Sequence, residues 1–110
     1  MYNFGDIVLL SFPYTNTTKN KKRPALVLYD CNDNDIILCR ITSQPVESKY
    51  DIKIKEWKDY GLLLQSTIRL HKIATLEKTL IQKKLGKLSN IESNRLKTII
   101  KQLIDKKTKL

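Results

Sequence analysis

The side chains in this 110-residue chain best suited to chemistry on a charged substrate are Arg23, the pair Thr42-Ser43, Arg69 and the single histidine, His71. Arg23 stands where a polar stretch meets an apolar one, and an arginine at such a boundary can reach into a groove. Its planar fork matches two phosphate oxygens at once. The same position equally suits a hairpin cap or an ion pair with Asp30 or Asp35. Thr42-Ser43 ends an apolar run, where two adjacent hydroxyls can bond a phosphate, orient a ribose, or simply close a strand-end turn. Arg69-Leu70-His71 places two polar heads on one face if the stretch is extended. Imidazole titrates near neutral pH and is the default proton carrier, although a lone histidine also serves in packing or at the surface. Tyr14, Trp57 and Tyr60 offer rings near loops for base stacking or for ordinary packing.

Several chemistries are excluded by count. One His and two Cys cannot build a four-ligand Cys/His zinc site within one chain, nor can one His serve a two-histidine nuclease. Gly5, Gly61 and Gly86 lie far apart, so no glycine-rich phosphate loop or dinucleotide fingerprint is present. No metal and no cofactor is expected. The formal net charge is +10, and it is uneven: residues 71–110 hold 11 basic against 3 acidic side chains. Such a basic third attracts a polyanion or is a solvated helix face. The longest apolar run is Ala25–Tyr29, too short to cross a membrane. Asp6 interrupts any signal-peptide pattern at the N-terminus. The expected location is cytoplasmic, with Cys31 and Cys39 as free thiols on facing strands.

The elements that must position these groups are strands first and a helix last. Ile7–Phe12 is rich in β-formers and stops at Pro13, and Pro13–Lys22 is polar without period and reads as a loop. Pro24–Tyr29 and Asp35–Thr42 flank the turn-forming Asp30–Asn34, so residues 24–42 predict a hairpin. Pro24–Tyr29 is apolar nearly throughout and reads as buried on both faces. Tyr50–Ile54 alternates like a half-exposed strand. Glu56–Tyr60 reads as a turn or short helix closed by Gly61. Ser66–Leu70 and Ile73–Leu76 are β-prone, while Leu80–Leu85 fits helix or strand. Ser89-Asn-Ile-Glu92 fits a reciprocal capping box. Leu96, Ile99, Ile100, Leu103 and Ile104 then form one helical stripe. The expected architecture is a single domain over 1–110. It is a small antiparallel β-barrel or strongly curled sheet (about 5–88) with a packed C-terminal helix (about 90–106).

Three ordered motifs carry a resemblance. Gly5-Asp-Ile-Val-Leu9, Phe12-Pro13 and Lys22-Arg-Pro-Ala-Leu-Val27 form the first, and Ile41-Thr-Ser43 the second. Ser66-Thr-Ile-Arg69, Lys72-Ile73, Leu76-Glu-Lys78 and Leu85-Gly-Lys-Leu-Ser89 form the third. In this order they resemble the MazF/PemK (Kid-like) toxins of type II toxin–antitoxin systems over nearly the whole chain.

The resemblance implies an SH3-like barrel working as a homodimer, inhibited by a cognate acidic antitoxin and with no membrane association. It implies a metal-independent endoribonuclease, an mRNA interferase that cleaves single-stranded RNA by 2′-OH attack. The family's essential Arg and Thr match Arg23, which would stabilise the phosphorane, and Thr42, which would hold the scissile phosphate. Some members carry Arg-x-Asp in the third motif, where this chain has Arg69-Leu70-His71. Either His71 takes over proton transfer or the carboxylate's contribution is lost. The loop Pro13–Lys22 and residues 44–49 would flank the cut. There Lys19, Lys21 and Lys22 would neutralise phosphates, while Ser43 would join Thr42. Tyr14, Asn16 and Gln44 would read bases. Two other readings remain: a non-catalytic toxin such as the gyrase inhibitor CcdB, which shares this barrel, or a plain SH3-like nucleic-acid-binding module.

Overall fold

A computed structural model describes residues 1–13 and 20–105. Six strands form one antiparallel sheet: β1 (Asp6–Pro13), β2 (Asn20–Asp30), β3 (Asp35–Thr42), β4 (Asp51–Ile54), β5 (Ser66–Glu77) and β6 (Ile81–Lys87). Their spatial order is β4-β5-β3-β2-β1-β6, and one helix, α1 (Asn90–Ile104), follows. The chain is therefore mainly β with a C-terminal helix, as expected.

The expected hairpin is β2–β3, joined through a turn in which Asn32 takes φ 60°, a left-handed value that Asn tolerates. β2 starts at Asn20, earlier than the loop assigned by composition, because Asn20–Lys22 pair with Ser11–Pro13 and satisfy their backbone there. The two β-prone stretches after residue 66 are one strand. β5 spans both with a bulge, since Cys39 pairs with Ile73 while the adjacent Arg40 pairs with Arg69. The ambiguous Leu80–Leu85 segment becomes a single 3-10 turn, Lys78–Leu80, then strand β6. Pairing with β1 decides it, giving partners such as Leu10–Ile81 and Val8–Lys84. Glu56–Tyr60 is a turn whose end, Gly61, takes φ 73°.

Both sheet faces bury side chains, which is what a curled sheet achieves. One face supplies Ile7, Leu26, Cys39, Ile41, Ile52, Ile54, Ile68 and Leu70 to a core closed by Tyr60, Leu62, Leu88 and Leu96 of α1. The other face gathers Val8, Leu10, Ala25, Val27, Ile36 and Leu38. The apolar β2 run is buried on both faces only over Ala25–Val27; Pro24 and Leu28 are half-buried, and Tyr29, beside the β2 irregularity, is 61% exposed. The alternation of β4 is also incomplete: Asp51 is buried beside Ile52. The helical stripe is anchored by Leu96 (1% exposed), whereas Ile104 at its end is 74% exposed.

The capping box forms in half. Ser89 Oγ accepts from Glu92 N (3.2 Å), but Glu92 Oε1 takes the Tyr60 hydroxyl rather than the Ser89 amide. That amide donates to Tyr60 Oη instead (3.4 Å), so a core tyrosine is threaded through the cap and ties the helix start to the turn. Burial and the Glu92 bond raise the Tyr60 phenol pKa. Gly5 adds a second tie. It holds φ 90°, and a Cβ there would lie 2.9 Å from Ser93 Oγ on α1. The cysteines do not face one another: Cys39 is on β3 opposite Leu26, and Cys31 is in the hairpin turn. Both are free thiols.

Candidate active site

Strand pairing converts scattered sequence positions into rows on one face. Thr42 of β3 faces Thr67 of β5, which faces Lys53 of β4. The β2–β3 ladder ends at Ala25–Arg40, and Arg23 and Thr42 each lie two residues beyond that pair on the same sheet face. The next row is Ala25, Arg40, Arg69 and Asp51. Directly paired residues share a face, and so do residues two apart along a strand. Arg23, Arg40, Thr42, Thr67, Arg69 and Asp51 therefore belong to one sheet face, at the end where its apolar core stops.

Arg23 is half-buried and forms no ion pair among the described residues. The alternative partners are accounted for elsewhere: Asp30 binds Lys78, and Asp35 pairs with Glu77 in the β3–β5 ladder at the far end of β3. An arginine with its stem on a strand and no carboxylate partner is a cation available to an incoming anion. Thr42 is half-buried, and its Oγ1 accepts from Gln44 N (3.2 Å), making the strand-end turn. That bond uses the oxygen's lone pair and leaves the hydroxyl proton to donate. Ser43 and Gln44 are exposed just beyond it.

Arg69 and His71 converge on a residue that the sequence did not mark. Asp51, with a fully buried side chain, holds Arg69 through Oδ2 (3.4 Å), and Glu47 lies equally close to the guanidinium. His71 Nδ1 lies 3.9 Å from Asp51 Oδ1, and its ring packs against Tyr50 at 5.7 Å. Asp51 Oδ2 also accepts from Glu47 N (2.9 Å) and Ser48 N (3.2 Å). A carboxylate is thus present beside the third motif, delivered by β4 instead of following Arg69. Its only sequence signal was an acid inside an alternating strand. Arg40 was missed as well. It is exposed, sits two residues before Thr42 on the same strand face, and could have been found from that period.

The site is an elongated strip. Thr67 and His71 are four residues apart on β5, up to about 13 Å of extended strand before the bulge shortens it. Arg69 stands between them. Strand alternation puts Lys21 on the Arg23 side and the exposed Lys22 on the opposite face. Tyr14, Asn16 and Lys19 lie outside the described residues, as do Lys106, Lys107 and Lys109. Trp57 and Tyr60 pack with the core rather than standing in the open. No helix among the described residues is long and apolar enough to cross a membrane.

Solved structures share this architecture at low identity. An endoribonuclease in complex with its cognate antitoxin from a Mycobacterial species superposes with TM-score 0.76 at 15% identity, covering 99% of this chain and 100% of that one. The Mycobacterium tuberculosis toxin MazF-mt6 gives 0.74 at 16%, covering 94% and 99%. A MazE–MazF structure from Deinococcus radiodurans gives 0.75 at 16%, covering 94% and 95%. No curated protein matches. The family pattern itself extends over residues 3–104, from the turn before β1 to the end of α1 and across every strand that builds the Arg23–Thr42 row. On that match the chain belongs to the PemK-like, MazF-like toxins of type II toxin–antitoxin systems.

Proposed function

We propose that this toxin is a sequence-specific, metal-independent endoribonuclease that cleaves single-stranded RNA. The observation that carries the reading is the Arg23–Thr42 row. It places on one sheet face, each two residues beyond the paired Ala25 and Arg40, an arginine with no carboxylate partner among the described residues and a hydroxyl with a free proton. The attacking group is the ribose 2′-OH beside the cut. The new P–O2′ bond forms as the P–O5′ bond breaks, leaving a 2′,3′-cyclic phosphate and a 5′-OH. Thr42 donates to a phosphate oxygen, and Arg23 offsets the charge that grows on the phosphorane. Arg69 already shares its charge with Asp51 and Glu47, so it contributes less. Arginine is a poor general base at neutral pH. His71 therefore takes the 2′-OH proton, and solvent protonates the leaving 5′-oxygen on the far side of phosphorus.

RNA passes along the strip with Ser43 and Gln44 beside Thr42, and with Lys21 and Arg40 neutralising backbone phosphates without reading sequence. Tyr14, Asn16 and Lys19 complete the binding set in this reading, while Lys22 lies on the opposite face of the sheet. A cognate acidic antitoxin segment occupies the same basic strip and blocks RNA. The toxin acts as a homodimer. A groove of about 380 Å³ beside α1, lined by Phe4, Leu28, Ile100 and the exposed Ile104 together with Lys97, Lys101 and Asp105, supports burial against a second copy. The location is cytoplasmic.

Incubation of the purified protein with a long RNA in EDTA, followed by end mapping, tests the reading. Cuts at a recurring short motif with 5′-OH ends are expected. Intact RNA bound with steep salt dependence would instead indicate a binding module. Intact RNA with inhibition of a protein target would indicate a CcdB-like toxin.

A further inference from the structure

The two oxygens of Asp51 do different work. Oδ2 accepts from Glu47 N, Ser48 N and Arg69 Nη1, at 2.9, 3.2 and 3.4 Å. It thereby fixes both the loop that follows Thr42-Ser43-Gln44 and the Arg69 guanidinium. Oδ1 is buried with no hydrogen-bond partner among the described residues, and the buried Nδ1 of His71, 3.9 Å away, has none among them either. Two orphaned buried polar atoms facing each other are costly unless they bond. A tilt of the imidazole by about 1 Å brings them to an ordinary N–H···O length. Only one neutral tautomer gains from that move, the one carrying its proton on Nδ1. The other would set a nitrogen lone pair against a carboxylate oxygen. Tyr50, packed on the ring, limits how far the imidazole can turn away.

We propose that Asp51 is a positioning residue of the RNA site: it fixes His71 as the Nδ1–H tautomer and leaves the Nε2 lone pair to accept a proton, while holding Arg69 and the 44–49 loop through its other oxygen. The rate consequence rests on the ribonuclease reading, whereas the tautomer does not. The logic is the one by which a buried carboxylate orients a catalytic imidazole without itself taking the proton.

The chain has one histidine, so the imidazole nitrogens of a 15N-labelled sample give a single assignable set. The neutral ring of the unaltered protein is expected to show protonated Nδ1 and bare Nε2. Neutral His71 found mainly as the Nε2–H tautomer overturns the proposal, and this measurement needs no variant to fold. In Asp51→Asn the amide oxygen can keep the two loop N–H bonds, which turns the amide N–H toward Nδ1 and reverses the tautomer. An unchanged tautomer in a folded Asp51→Asn also overturns it. Cleavage by Asp51→Asn is expected to fall about 10²-fold in kcat with KM little altered. A mere rise in KM would show that Asp51 only shapes the loop, against the proposal. If the tautomer is as expected but the unaltered protein cuts no RNA, the Asp51–His71 assignment stands and the ribonuclease reading fails.

Discussion

Two buried carboxylates stand near opposite ends of the β3–β5 ladder, and they are treated differently. At one end Asp30 has every oxygen satisfied: Oδ1 takes Asn32 N (2.9 Å) and the Lys78 ammonium, and Oδ2 takes Tyr2 N (2.9 Å). The Lys78 bond first, then the two amide bonds, hold the Asp30 carboxyl well below the usual carboxylate range against the opposing effect of burial. At the other end Asp51 has three donors crowded on one oxygen and, among the described residues, none on the other. The first cluster is finished and ties the N-terminus, the hairpin turn and the end of β5 together. The second faces the open strip and keeps an unspent hydrogen bond beside the lone histidine. A saturated polar cluster serves the fold, whereas a partly satisfied one beside a histidine and an arginine is a candidate functional site.

The largest expected effect comes from Arg23→Ala. It should reduce cleavage of a mapped RNA site by about 10³-fold or more, with the thermal midpoint unchanged because no ion pair of Arg23 among the described residues is lost. A wild-type rate would move the reaction away from the Arg23–Thr42 row. Next is His71→Ala, expected to lose about 10²-fold in kcat and to flatten the rate–pH profile. An unaltered profile would reduce the Asp51 end to a second staple and erase the contrast. Leu96→Ala calibrates the fold itself, with a cost of about 2–5 kcal/mol in urea unfolding and no selective loss of activity per folded molecule. Lys78→Met tests the finished end. The folded Asp30 pKa lies below its ordinary 3.8, so its stabilisation is present above about pH 4 and disappears as the pH falls through the folded value. The variant should unfold at a higher pH on acid titration and still cut RNA normally. The smallest change is Glu47→Ala. Glu47 is 60% exposed where it meets Arg69, and its loss should cost no more than about 0.2–1 kcal/mol by double-mutant cycle with Arg69.

Local chemistry made much of this legible. The β2–β3 hairpin followed from turn residues between apolar runs, and α1 from a cap plus a 3.6-residue stripe, because both depend on neighbours in sequence. Leu80–Leu85 was not decidable, since its state depends on β1 offering a partner. The facing cysteines failed for a related reason. Cys31 and Cys39 are both compatible with strand, but the turn claims the first and the core the second, where burial pushes the Cys39 thiol up to about 12. Half of the capping box was also lost to Tyr60, which arrives from 29 residues before Ser89.

The same division runs through the candidate site. The amino-acid sequence alone determined which groups are present: one histidine, an arginine at a strand start, a threonine at a strand end and the three motifs that place the chain in its family. Each is a matter of residue type and short-range spacing. Only the tertiary structure decided which of them meet. Strand register put Arg23 and Thr42 on one sheet face, set Arg40 beside Arg69, and brought Asp51 under both Arg69 and His71. Register depends on pairing between distant strands and on one bulge in β5. A shift of one residue would turn each of these side chains to the other face of the sheet.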